Sequence, residues 1–161
     1  MSRDETTDKI WSLIKDARVA MLTSDDGGVL RSRPMVAAQD EFDGTLWFFT
    51  QLDSPKVDEV QQDPQVNVAY ASASDNSFVS LSGVATVTQD RGEIDKRWNA
   101  GAKAWFPKGK DDPEVALLKV DVAQAEYWDA PSSKMVIAAA YLKSRITGKT
   151  PHVGDHAKVD L

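Results

Sequence analysis

The sequence predicts a mainly β domain with flanking helices. Three observations predict it: short β-prone runs of alternating polarity, strong turn signals between them, and brief helical segments set among the hairpins. About six such strands, paired antiparallel in sequence order, favour a barrel or sandwich with helices covering its ends. The 161 residues suffice for one such unit, and residues 1–161 contain no linker, repeat or low-complexity stretch that divides them.

Asp4 to Asp16 reads as a helix with Ile10, Leu13, Ile14 and Trp11 as its buried stripe. Val19 to Thr23 is β-prone, and Asp25-Asp26-Gly27-Gly28 turns the chain into a second arm, Val29 to Val36. Alternation sets Arg31 and Arg33 on one face of that arm and Leu30, Ser32 and Pro34 on the other. Pro34 cannot donate to a ladder, so it belongs on an edge, at a bulge or beside a ligand. Glu41-Phe42-Asp43-Gly44 turns again into Thr45 to Thr50, where Leu46, Phe48 and Thr50 oppose Trp47 and Phe49.

Ser54 to Asp63 is a helix: Ser54 suits the N-cap, Pro55 the first helical position, Asp58 and Glu59 the first turns, and Pro64 ends it. Val66 to Ser72 alternates, with Val66, Val68 and Tyr70 on one face. Ser74-Asp75-Asn76-Ser77 turns into Phe78 to Thr88, within which Gly83 marks a bulge or a close backbone approach. Arg91 to Trp105 is helical but broken at Asn99-Ala100-Gly101, Phe106 to Lys110 is a loop, and Asp112-Pro113-Glu114 starts a further helical turn. Leu117 to Trp128 is the last strand. Met135 to Ile146 is a short apolar helix ended by Gly148, and the rest, through His152 and His156, is a polar tail.

Composition narrows the function classes. A net charge of −6 argues against nucleic acid or an anionic membrane as the main partner. No apolar stretch reaches the length of a membrane span, and the N-terminus is no signal peptide. The absence of cysteine excludes disulfides, thiolate zinc sites and thiol catalysis, and it fits a cytoplasmic location. His152 and His156 lack the further ligands a metal site needs, so none is expected. Carboxylates are scattered and no acid–base pair stands out, so catalytic residues remain unassigned and a cofactor must supply most of any chemistry.

The chemistry-bearing run is Leu46-Trp47-Phe48-Phe49-Thr50-Gln51-Leu52-Asp53-Ser54-Pro55-Lys56, a strand feeding a helix N-terminus. Unpaired backbone N–H groups and the positive dipole end favour an anion there, whereas a cation in the first turn is unfavourable. Lys56 stands in that turn, and a bound phosphate accounts for it. Arg31 or Arg33, expected on a neighbouring strand, would add a guanidinium to the same anion. Trp47, Phe49, Tyr70, Trp105 and Trp128 are the candidate walls for a planar ring attached to that phosphate, although core packing is the commoner use of such residues. There is no Gly-x-Gly-x-x-Gly turn and no P-loop.

Arg31-Ser32-Arg33-Pro34-Met35, Trp47-Phe48-Phe49-Thr50, Ser54-Pro55-Lys56 and Glu126-Tyr127-Trp128-Asp129 carry a family resemblance. Over nearly its whole length the chain resembles the pyridoxamine phosphate oxidase-like flavin-binding split-barrel proteins, in particular the bacterial general stress protein branch. The resemblance implies a six-stranded antiparallel split β-barrel that forms a homodimer, with FMN, or FAD as the alternative, at the subunit interface. Carried over by position, Ser54 and Lys56 would contact the phosphate with help from Arg33 or Arg31. Backbone of Ser32, Arg33, Pro34 and Met35 and of Phe49 and Thr50 would line the flavin, and Trp128 would approach from the partner subunit. The implied function is a flavin-dependent oxidoreductase of the stress response. The alternative is a module that sequesters or senses flavin without turnover.

Two departures matter. The family's true oxidases carry a basic residue where this chain has Pro55, and their C-terminal basic residues that grip pyridoxamine phosphate have no counterpart here. Vitamin B6 oxidation is therefore not expected. Haem in the same barrel would need an axial ligand, and His152 and His156 are the only imidazoles.

Overall fold

The computed structural model of the protein describes residues 2–130, 134–150 and 154–161. Its elements, in chain order, are α1 (Arg3–Ile14), β1 (Val19–Asp26), β2 (Val29–Val36), β3 (Thr45–Gln51), α2 (Pro55–Gln62), β4 (Gln65–Ser72), β5 (Ser77–Thr88), α3 (Arg91–Arg97), α4 (Ala100–Trp105), β6 (Val115–Asp129), α5 (Lys134–Thr147) and β7 (Asp155–Asp160). The class is as read from the sequence: mainly β, with antiparallel pairing throughout.

One sheet of seven strands is formed, in the order β2-β1-β4-β5-β6-β3, with β7 paired to β6. The seventh strand corrects the expected count of six. Residues 155–160, expected as tail, pair with 124–129, so that Trp128 faces His156 across the ladder. That segment alternates weakly and is mostly exposed, which hid it from a pattern search. Asp112-Pro113-Glu114 is likewise no helical turn. The Asp112 carboxylate accepts from the Glu114 N–H at 3.0 Å and turns the chain into β6.

β2 and β3 close the fold without closing the sheet. They lie at opposite ends of the strand order, which corrects their expected pairing as meander neighbours. The sheet curls until they touch, through one isolated bridge between Ala37 and Phe48 and a bond from Ala38 N–H to Trp47 C=O at 2.8 Å. On one side of that bridge the Gln39 amide seals the gap, donating to Thr45 O and accepting from Trp47 N. On the other side β2 and β3 share no ladder among the described residues. Pro34, on the free edge of β2, has no N–H to offer one. The barrel is therefore split, and it is split beside Pro34.

Apolar alternation fills the interior. Leu46, Phe48 and Thr50 point inward from β3, as do Val66, Val68 and Tyr70 from β4, and all of these but Thr50 share one cluster with Ile10 and Ile14 of α1. Fully burying each large apolar side chain contributes about 1.5–3 kcal/mol. A second, smaller cluster of Ile94, Phe106, Val115 and Leu117 packs under Trp47, Phe49 and Trp98. It anchors the α3–α4 segment against β3 and β6, with the predicted break where Asn99 caps α4. Gly83 lies at a register shift in β5, where an added Cβ would collide with the Asp121 backbone.

Among the described residues no helix is long and apolar enough to cross a membrane.

Candidate functional site

The split holds a cavity of about 270 Å³. One wall is Pro34, Met35, Val36 and Ala37 from the end of β2 and its continuation. The facing wall is Phe49, Thr50 and Gln51 from β3, with Lys56 at the start of α2. The α4 region covers it with Asn99, Ala102, Trp105 and Phe106. A larger cavity of about 640 Å³ adjoins it and shares Val36, Ala37, Asn99 and Gly101. Trp11, Trp47 and Trp98 also line it, and the Arg97 guanidinium lies 4.0 Å from the Trp47 ring centre, a cation–π contact.

Lys56 is half-buried, and it is the only titratable side chain among the described residues lining the smaller cavity. No carboxylate lies within ion-pair distance of its ammonium among the described residues. Burial lowers its pKa below the usual 10.5, the positive Arg33 lowers it further, and Glu59 partly opposes them. Such a group favours an incoming anion.

The helix beside it is open to the same anion. Ser54 occupies the N-cap of α2, but its side chain makes no capping bond to the helix, contrary to the simplest reading of Ser-Pro at a helix start. Its Oγ lies instead 3.4 Å from Thr50 Oγ1, both buried at the end of the cavity wall. Two hydroxyls thus lie together at the positive end of the helix dipole, and Lys56 stands in the first turn of that helix.

Arg31 and Arg33 are not free cations. Arg33 Nη1 donates to Ser24 Oγ at 2.6 Å and its Nη2 to Glu59 Oε2 at 2.6 Å. Arg31 Nη1 reaches Glu59 Oε1 at 3.0 Å and the exposed Asp26 at 3.2 Å. Glu59 is only 5% exposed. Burial alone would raise its pKa, but hydrogen bonds from Ser24 and Arg33 and the charges of both arginines outweigh it and hold the carboxyl below its usual value. Sequence reasoning assigned Glu59 only a favourable place in the helix dipole. Its position one turn after Lys56 was the available signal.

Of the ten predicted site residues, Pro34, Met35, Phe49, Thr50 and Lys56 line the cavity, and Ser54 stands at its end. Arg33 approaches through Lys56 and Glu59. Arg31 is half exposed at 51%, farther along the edge, and the Ser32 hydroxyl pairs with Thr23 at 2.6 Å. Trp128 lines neither cavity. It stacks on His156 with ring centres 5.2 Å apart, on the outer face of the sheet. Of the candidate aromatic walls, Phe49 and Trp105 face the smaller cavity and Trp47 and Tyr70 the larger. Asn99, Ala102 and Phe106 were missed, because the helical break at Asn99 announces a turn but not what the turn covers. His152 lies outside the described residues.

Comparison with known proteins gives concordant results. Residues 5–152 match the family described as pyridoxamine 5′-phosphate oxidase like. The protein bli-3 of Neurospora crassa is 30% identical over 159 residues, covering 91% of this chain and 75% of that one. Among solved structures, a general stress protein 26 from Jannaschia sp. CCS1 superposes with a TM-score of 0.78 at 27% identity, covering 98% of this chain and 99% of the other. The general stress FMN/FAD binding protein of Xanthomonas citri gives a TM-score of 0.72 at 34% identity, over 81% of this chain and 92% of its own.

Proposed function

Since the chain belongs to the pyridoxamine 5′-phosphate oxidase-like family, we propose that it is a flavin-binding general stress protein that holds FMN in the split between β2 and β3. One observation carries the reading: an ammonium without a carboxylate partner among the described residues, Lys56, stands beside the uncapped start of α2 in a cavity whose other walls are mainly apolar and aromatic, with only the uncharged Thr50, Gln51 and Asn99 as further polar side chains among the described residues. That donor set fits a phosphorylated planar ring. Lys56, the hydroxyls of Ser54 and Thr50 and the N-terminal turn of α2 would hold the phosphate. Pro34, Met35 and Phe49 would flank the ring, and Arg33 would supply a second positive charge. FAD is the alternative cofactor, and the FMN/FAD binding relative from Xanthomonas citri supports keeping both. When bound, the flavin supplies redox chemistry that no side chain here offers.

The same reading includes a homodimer. Val36 pairs with Val19, Ala71 with Phe78, and Phe78 with Trp128, so exposed apolar side chains run across the outer face of the sheet. This row begins at Val36, which also lines both cavities. A second copy packed on that face would cover the apolar row and lie beside the flavin, with its own Trp128 within the interface. The chain's lack of cysteine suits the cytoplasm proposed for it.

Oxidoreductase activity is the first reading of what the flavin does. Sequestering or sensing is the second, and it is favoured by the absence of any carboxylate or imidazole among the described residues lining the smaller cavity. Denaturing the purified protein and identifying the released small molecule tests flavin binding, with FMN or FAD expected and a colourless extract against it. Anaerobic mixing of the flavin-loaded protein with NADH or NADPH separates the two roles. Rapid bleaching supports turnover, and persistent oxidised flavin supports the binding module.

A further inference from the structure

We propose that Glu59 is a positioning residue of the anion site, its buried carboxylate holding the Arg33 guanidinium and, through it, the charge pattern around Lys56 in place for a ligand phosphate. The inference rests on the phosphate-binding reading above and adds to it a residue that does not touch the ligand.

The geometry is that of a hub. Glu59 Oε2 accepts from Ser24 Oγ at 2.5 Å and from Arg33 Nη2 at 2.6 Å, while Oε1 accepts from Arg31 Nη1 at 3.0 Å. Both oxygens are used, and the carboxylate joins β1, β2 and α2. Ser24, itself 1% exposed, also accepts from Arg33 Nη1, so the guanidinium is fastened at both terminal nitrogens. Arg33 is 18% exposed, and a guanidinium carries five N–H donors, so two engaged donors leave others for a ligand. A buried carboxylate bonded to two arginines is kept charged by them, and removing it leaves the more buried of the two guanidiniums without its counter-ion.

Glu59 also acts on Lys56. The two are three residues apart on α2, hence on one helix face. Arg33 lowers the proton affinity of Lys56 and Glu59 raises it. Among Arg31, Arg33 and Lys56 there are three positive charges, with Glu59 as the one buried counter-charge and Asp26 paired only at the exposed edge. Glu59 therefore holds like charges close together before any phosphate arrives. Neutralising it would raise the local positive potential, which favours an anion, but would release the guanidinium and discourage protonation of Lys56. Loss of placement is the larger effect, because the joint hold of Glu59 and Ser24 on the two terminal nitrogens of Arg33 is what aims its remaining donors.

The test compares FMN with riboflavin, which lacks the phosphate, by flavin fluorescence titration of the full chain. In Glu59→Gln the FMN-over-riboflavin affinity ratio is expected to fall about tenfold or more, with riboflavin affinity unchanged. A purely structural role would weaken both ligands alike and leave the ratio intact. Glu59→Asp retains the charge but withdraws it, and is expected to lower the ratio by less, which keeps the test open if the Gln variant fails to fold. An unchanged ratio in both variants overturns the proposal. A raised ratio overturns it too, by making Glu59 a competitor for the arginines. If the wild-type chain shows no preference for FMN, the phosphate reading itself fails. If it prefers FMN and Lys56→Ala removes the preference while both Glu59 variants keep it, only the role of Glu59 fails.

Discussion

Arg33 Nη2 and Glu59 Oε2 lie 2.6 Å apart, an ion pair that fastens the edge strand β2 to the helix whose first turn carries Lys56. β2 contributes one wall of the cavity, and α2 contributes Lys56 to its lining. The pair therefore ties one wall of the cavity to the helix that carries Lys56.

Acid should loosen this joint. The Glu59 carboxyl is held below its ordinary value in the fold, so its contribution to stability is complete above the ordinary carboxylate value and is lost as pH falls from there through the lowered one. Urea unfolding of wild type and Glu59→Gln is expected to differ most near neutral pH and to converge as pH falls below the lowered Glu59 value. An equal difference at neutral and acid pH would contradict the assignment.

Alkali should weaken the ligand. Lys56 has a depressed pKa in the free protein, so its charge begins to disappear below 10.5 as pH rises. A phosphate favours the protonated form, and FMN affinity is therefore expected to fall as pH rises through the lowered Lys56 value. In Lys56→Ala that alkaline loss should be absent.

Gly83→Ala should destabilise the fold without any connection to ligand. The new Cβ meets backbone atoms of Asp121 and Val122, which cannot rotate away as a flexible side chain would. Overpacking of this kind costs about 1–3 kcal/mol, readable as a lower urea midpoint.

Phe78→Glu should separate subunits. Phe78 is exposed beside Trp128 on the outer sheet face, and a carboxylate buried there without a partner is strongly unfavourable. Size-exclusion chromatography with light scattering is expected to give a dimer for wild type and a monomer for the variant. A monomeric wild type would remove the interface from the account.

Much of the fold was legible because its signals are local. Alternation in Leu46, Phe48 and Thr50, the Asn99 break and the glycine at the β5 register shift all follow from nearest-neighbour chemistry, and the structure agrees. Strand order was not legible. β2 and β3 are consecutive in sequence yet sit at opposite ends of the sheet, because curling lets end strands meet without laddering, and no local pattern encodes that. The site divides the same way. Lys56 after Ser-Pro stood out as a charge in the wrong part of a helix, and it does line the cavity. Glu59 did not stand out, since a glutamate near a helix start is ordinary until Ser24, Arg31 and Arg33 arrive from two other strands. The Ser54 and Thr50 hydroxyls were expected at the site, but their contact with each other in place of a capping bond was not legible, since a capping serine was the simpler expectation.

The most direct measurement is a titration of ligand-free wild-type and Lys56→Ala protein with FMN, followed by quenching of flavin fluorescence. The account predicts saturable binding by wild type, weakened in Lys56→Ala by about 1.5–3 kcal/mol, the range for a charge-assisted hydrogen bond. Absence of saturable FMN binding, or equal affinity in the two proteins, would contradict it.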